Sequence, residues 1–297
     1  MATTANDLIE ATLDFLQGGT DETVNVLAAA PDSDDTTLTM TYELGAIVAG
    51  AMICVDLEVM RVVDTNPTSK TVTVLRGQRG STAASHSSGS VVQVSPRFSR
   101  WSVFRALNDD IDALSGVGLY QMKTVDLTYS PAVMGYDLTS VSSLESIYSV
   151  RYKVPGSEKE WPLLRPSEYR FDRNASTSDF ASGFSLVLYQ PAYPGNTIRV
   201  AYKAPFVRMT AASDDVQTVA GLPATANDIP VYGAAIRLQA GHESARVATE
   251  SQPDTRRADE VPVGANLQAA SNWGRLRAQR IDDEMRRLSR RYPMRKL

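Results

Sequence analysis

Over residues 36–94 the apolar side chains recur with a period of two, and clusters of turn-forming residues interrupt them, a pattern that short antiparallel strands satisfy. Residues 36–41 alternate Thr with Leu and Met, and 52–63 is an apolar run broken by Asp56, Glu58 and Arg61. Residues 71–75 are mostly β-branched, and 91–94 close the set. Turn residues fill 31–35 and 64–70, and a Gly/Ser-rich stretch fills 77–89. Four short strands so punctuated predict a small antiparallel β-barrel or sandwich over 20–97.

Helical spacing brackets this domain. In 6–17, Leu8, Ile9, Leu13, Phe15 and Leu16 cover one broad side, while Asp7, Glu10 and Asp14 stack at i, i+3, i+7, and Gly18 and Gly19 end the helix. Over 98–118, Ser99 is placed to cap a second helix with Val103, Phe104, Leu107, Ile111 and Leu114 on its apolar face. Asp109, Asp110 and Asp112 are expected on the opposite, solvated side. Residues 119–210 again alternate, at 120–129, 146–154, 184–190 and 197–203, with Pro/Gly/Asn/Ser loops between, which predicts an antiparallel β-sandwich. A polar hinge is expected at 211–215, within a linker over 211–227. The rest, 228–297, reads as helical. Asp228 caps a helix with Pro230 in its first turn and small residues at Gly233, Ala234, Ala235, Ala240 and Gly241, and 252–264 is a polar loop. A last helix over 266–292 places Ile281, Met285, Leu288 and Tyr292 on one face among arginines. The fold class expected is therefore α+β, with two β domains linked and flanked by amphipathic helices and a helical C-terminus.

The 297 residues are 43% apolar and 22% charged, enough for two cores and unlike a disordered chain. No apolar stretch reaches the roughly 18–20 residues of a membrane span. No Lys or Arg precedes Arg61, which argues against a secretory leader, and the single cysteine, Cys54, forbids an internal disulfide. Cys54 lies in an apolar strand and reads as an inert buried thiol in a protein kept in a reducing compartment. The net charge of −4 hides a strong asymmetry. Residues 1–60 hold eleven acidic and no basic side chains, whereas 273–297 hold nine basic and three acidic ones. Such ends suit different partners, or the opposite ends of neighbouring copies.

Catalytic patterns are missing. Gly77–Ser81 reads G-Q-R-G-S, without the Lys of a phosphate-binding loop, and neither H-E-x-x-H nor G-x-S-x-G occurs. Asp32, Asp34 and Asp35 lack the glycine and glutamate of an EF-hand and read as a solvated turn. His86 reads as a residue tying down loop backbone, and His242 as packing or exposed. Glu158 and Glu160 form a charged turn beside Trp161. No catalytic, metal-binding or cofactor-binding residue is assigned, and no enzymatic activity is expected. The basic terminal helix can contact phosphates, but without an aromatic ladder or zinc motif it supports only non-specific contact.

The segment 71–94, TVTVLRGQRGSTAASHSSGSVVQV, resembles a pattern of tailed-bacteriophage neck and tail proteins: a β-branched strand, R-G-x-x-G-[ST]-x-A-x-x-H, a glycine and a final strand. Arg76, Gly77, Gly80, Ser81, Ala83 or Ala84, His86 and Gly89 carry it. Around it, N-D-L-I-x-x-T-L at 6–13, S-P-R-F at 95–98, A-L-N-D-D-I at 106–111, D-I-P-x-x-G-A-A at 228–235 and R-Y-P at 291–293 resemble phage head-to-tail connector proteins. The resemblance touches most of the chain, least of all the central β-sandwich.

That resemblance implies a structural virion protein. It would be an adaptor subunit of a homo-oligomeric ring of about twelve copies, docking on the portal protein and extending the DNA channel to the next neck or tail protein. It would be made in the host cytoplasm and located at the head–tail interface, with DNA passing non-specifically and no membrane partner. Within that picture the portal contact is expected from Arg275, Arg277, Arg280, Arg286, Arg287, Arg290, Arg291 and Arg295. Asp7, Glu10, Asp14, Asp109, Asp110 and Asp112 are candidates to face the channel, where like charge keeps DNA from sticking. An alternative is another tail or tail-tip protein whose sandwich binds a glycan through Trp161, Tyr169, Tyr189 and Tyr193; such aromatics also serve as sandwich core.

Overall fold

The computed structural model describes residues 2–18, 22–138, 141, 143–153, 161–189, 196–250 and 265–293. The fold is α+β with two antiparallel β domains, flanking helices and a helical C-terminal region. The chain divides into two compact units, residues 1–113 with 207–284, and residues 114–206 with 285–297.

The first unit is built on a six-stranded sheet of order β1-β6-β3-β4-β5-β2. Its strands are β1 (Val24–Val26), β2 (Thr37–Thr39), β3 (Met52–Val55), β4 (Glu58–Asn66), β5 (Thr71–Leu75) and β6 (Val91–Val94). Ala28 N donates to Thr39 O and Thr41 N to Val26 O, both at 2.8 Å, and Leu27 bridges Met40, so the edge strands meet and the sheet curls on itself. Leu27, Leu38, Ile53, Val55, Met60, Val62, Val72, Val74 and Val92 fill the interior. The run expected as one strand over 52–63 is a hairpin, β3 turning into β4 at Asp56, whose backbone is left-handed (φ 50°). β1, absent from the sequence reading, pairs with β6 from Val24↔Gln93 to Val26↔Val91.

Helix α1 (Ala5–Gln17) begins in a capping box, Thr4 Oγ1 accepting from Asp7 N at 3.3 Å and Asp7 Oδ2 accepting from Thr4 N at 2.8 Å. It ends at Gly18 in the left-handed conformation, and Gly19 lies outside the described residues. Helix α2 (Arg100–Gly116) is capped by Ser99, whose Oγ accepts from Ser102 N at 3.2 Å. Helix α3 (Asp228–Glu250) packs against α1, and Phe15 of α1 meets Tyr232 of α3 edge-on at 5.4 Å. Helix α4 (Ala265–Arg291) brings Trp273 edge-on to Phe15, also at 5.4 Å. The segment expected as a polar hinge is tied down instead. Ala5 N and Asn6 N donate to Asp214 O and Ala212 O at 2.8 Å, and the Asp214 carboxylate accepts from the Thr210 and Ala211 amides.

The second unit is a sandwich of two three-stranded sheets, β7-β12-β9 and β10-β11-β8. These strands are β7 (Gln121–Thr128), β8 (Gly135–Asp137), β9 (Ser146–Tyr152), β10 (Tyr169–Asp172), β11 (Ser185–Leu188) and β12 (Thr197–Ala204). Val150, Leu164, Leu186, Ile198 and Val200 form one core, and Leu138, Val141, Leu144, Tyr202 and Ala204 a second. The expected ends Val154 and Gln190 lie outside the described residues.

Candidate functional site

The Gly/Ser-rich loop that follows β5 closes over a buried ion cluster. Glu58 opens β4 and is 1% exposed. A buried carboxylate needs cations and donors around it. Arg76 supplies a two-pronged contact, Nε to Oε1 and Nη2 to Oε2, each at 2.8 Å. The amides of Gly77 and Ala84 donate at 3.0 and 3.1 Å. His86 Nε2 lies 3.0 Å from Glu58 Oε2, and its Nδ1 lies 2.8 Å from Asp56 Oδ2. Arg76 Nη1 reaches on to the carbonyls of Asp32 and Asp35 at 2.8 Å, and His86 N donates to Pro31 O at 3.0 Å. Two loop segments far apart in sequence, 32–35 and 77–86, are thus held by one carboxylate and one guanidinium.

The remaining motif residues have equally local reasons. Ser81 Oγ accepts from Val59 N at 2.9 Å and donates to Gln78 O at 2.8 Å, holding the loop to β4. Gly77 has φ 60°, and a Cβ there would meet Ser81 O at 3.2 Å. Burial opposes charge on Glu58, but the hydrogen bonds from Arg76, His86 and the two amides outweigh it and hold the carboxyl down at about 2. Burial likewise opposes charge on His86, and the flanking carboxylates of Asp56 and Glu58 push it up to about 9. The imidazole is therefore a cation at neutral pH, donating from both nitrogens. The imidazole meets two side-chain carboxylates rather than the loop backbone expected for it, so its role is electrostatic. Cys54 is buried, and burial pushes its thiol up.

Further ion pairs involve the helices of the first unit. Arg208 spans Asp112, Nε to Oδ2 at 2.6 Å, and Asp109, Nη2 to Oδ1 at 2.9 Å. Asp110 corrects the expectation of a solvated, channel-facing carboxylate, because it is 2% exposed. Arg277 Nη2 lies 3.0 Å from Asp110 Oδ1, and Arg237 Nε lies 3.7 Å from the same oxygen. Burial pushes the Asp110 carboxyl up, and the two arginines pull against it. Its side chain lies so close to α3 that a Cβ at Gly233 would stand 2.0 Å from Asp110 Cγ. Arg280 Nε donates to Asp228 Oδ2 at 2.6 Å and Arg280 Nη2 to Thr225 O at 2.6 Å. Arg277 and Arg280 thus hold α4 to its own chain.

The other expected residues are more dispersed. Asp7 serves the capping box of α1, and Glu10 pairs with Arg100. Asp14, Glu10, Glu22 and Asp56 line a shallow acidic cleft of about 440 Å³ with Arg100. Arg275 Nη2 donates to Asn272 Oδ1 at 2.6 Å. Arg286, Arg287, Arg290 and Arg291 are exposed, and Arg295 lies outside the described residues. In the sandwich, Trp161 lies under the Arg199 guanidinium at 4.5 Å, Tyr169 packs against the core, and Tyr189 is 56% exposed. Tyr193, Glu158 and Glu160 lie outside the described residues, as does the expected loop over 252–264; of His242 only its place in α3 is described. Glu58, Arg208 and Arg237 went unassigned in the sequence. A lone glutamate inside an apolar strand, upstream of an arginine that follows a β-branched one, was the available signal for Glu58.

Among the described residues, no helix is long and apolar enough to cross a membrane, and no group of three or more His, Cys, Asp or Glu could hold a metal ion. Comparison with family models and with curated proteins gives no match.

Proposed function

We propose that this chain is a structural subunit of a tailed-phage neck, an adaptor that forms a ring on the portal and extends the DNA channel to the next protein. One observation carries the reading. Arg76, Gly77, Ser81, Ala84 and His86, residues of the motif that resembles phage neck proteins, converge on the Glu58 cluster or pin its loop to β4. The motif thus answers to one physical design, a long loop locked onto a small barrel, which suits a subunit that must keep its shape inside an assembly.

The exposed arginines near the end of α4 add to this reading. Among the described residues, no carboxylate lies within ion-pair distance of Arg286, Arg290 or Arg291, in contrast to Arg277 and Arg280. The portal contact is therefore assigned to Arg286, Arg290 and Arg291, and Arg277 and Arg280 to internal support. Of the channel-facing candidates on α1, Asp7, Glu10 and Asp14 are all exposed, with Asp7 engaged in the capping box and Glu10 paired with Arg100. The test is co-sedimentation of the full chain with portal rings encoded by the same genome. The wild-type chain is expected to co-sediment, and a triple charge reversal at Arg286, Arg290 and Arg291 to stay in the supernatant. Equal sedimentation of both proteins would refute the contact, and failure of the wild type would refute the adaptor role.

A further inference from the structure

The sandwich unit holds a cleft of about 1060 Å³, lined from β9, the loop before β10, β12 and the last turn of α4. Ile147, Leu163 and Leu164 give it an apolar wall, and Leu163 is 40% exposed there. Its polar lining is one-sided. Arg165 and Lys203 are its cations, and the rest are hydroxyls of serine and tyrosine, with no Asp, Glu, Asn or Gln side chain. Lys203 Nζ sits 4.3 Å from the Tyr120 ring centroid, and among the described residues no carboxylate forms an ion pair with it or with the Arg165 guanidinium, while Glu168 Oε2 accepts from the Arg165 amide at 2.7 Å. The hydroxyls of Tyr120 and Tyr169 have no hydrogen-bond partner among the described residues, and burial pushes both phenols up.

Such a lining selects its ligand by what it lacks. A neutral sugar presents hydroxyl donors that carboxylate or side-chain amide acceptors meet best, and the cleft lining holds neither kind of side chain. Cations and protonated phenols instead match carboxylates and backbone carbonyls. The space also exceeds the roughly 300–1,000 Å³ of small-molecule pockets. A strand edge forms part of the wall. Leu164 N donates to Val150 O at 2.9 Å and Tyr152 N to Pro162 O at 3.2 Å, so residues 162–164 pair with the second half of β9. Ser146 and Ile147, in the first half, line the cleft, and no described strand continues that pairing alongside them. An extended peptide fits this arrangement by prolonging the short pairing segment.

We propose that this cleft is the docking site for an extended segment of a partner protein that carries apolar side chains beside a carboxylate. Single-stranded nucleic acid fits less well. Lys203 covers the Tyr120 ring and the edge-on contact of Tyr292 at 5.8 Å occupies Tyr148, which removes stacking faces.

The test is fluorescence anisotropy of the full-length protein with a fluorescein-labelled octapeptide of alternating leucine and glutamate. Saturable binding is expected, weakened about tenfold when glutamine replaces glutamate and about tenfold by Lys203→Met, which keeps the apolar stem. Arg165→Ala, on the exposed rim, is expected to weaken binding while leaving the melting temperature unchanged, which separates lost contact from lost fold. Equal affinity for the glutamine peptide, absence of saturation, unchanged binding in both variants, or tighter binding of an oligothymidylate of the same length would overturn the proposal. Portal attachment is no part of the readout, so this inference and the adaptor reading can fail separately.

Discussion

The Glu58 carboxylate accepts from His86 Nε2 at 3.0 Å, with the two side chains 1% and 2% exposed. Both charges are kept because Arg76 and Asp56 complete the set, so the barrel's loop is locked by four alternating charges.

The lock has a pH signature. His86 rises from an ordinary 6.5 to about 9, so its stabilisation is complete below 6.5 and is lost as pH climbs through about 9. Glu58 falls from 4.5 to about 2, so its contribution is complete above 4.5 and is lost as pH drops through about 2. The cluster is therefore strongest between these ordinary values. Melting followed by circular dichroism is expected to show the first unit losing about 5 °C between pH 6.5 and 10. His86→Gln should flatten that alkaline limb, and an unchanged slope would disprove the assignment.

Removing the acid should cost more than titrating its partner. Glu58→Gln leaves Arg76 and His86 with half their countercharge in a buried place, a loss of about 3–5 kcal/mol. A urea titration should show the midpoint of the first unit falling while that of the second is unchanged.

A similar loss is expected where α3 approaches α2. At Gly233 an added methyl would overlap Asp110, so Gly233→Ala should expel the carboxylate and loosen Arg277 from its partner, at about 3 kcal/mol or more. Hydrogen exchange should speed up along α4. In an Asp110→Ala background the same glycine change should cost much less, and a strictly additive cycle would contradict the contact.

Much of the framework was legible because it is local. α1, α2, β5 and β6 follow from periodicity and caps within a few residues. β1 was missed because three residues cannot display an alternation, and β6 supplies its pairing. The split at Asp56 was hidden because an apolar run says nothing of a left-handed residue within it. Asp110 could have been found. On a 3.6-residue helix it shares a face with Val103, Leu107 and Leu114, whereas Asp109 and Asp112 share another. Its partner Arg277 lies far along the chain, as do Arg76 and His86 from Glu58, and no local pattern reports such pairings.

The placement of Arg277 and Arg280 also changes how the basic helix must be tested. Deleting 273–297 would strip Asp110 and Asp228 of their cations and Phe15 of Trp273, so it would unsettle the first unit itself. Charge reversal at Arg286, Arg290 and Arg291 should leave the melting temperature within about 2 °C of wild type, since exposed arginines contribute little. A large drop would place these residues among the structural ones.

The adaptor role is tested most directly by mass photometry of the full chain alone and mixed with portal rings from the same genome. A new species heavier than the portal by about twelve subunits is the expected result. A portal peak unchanged in mass at saturating protein would contradict it.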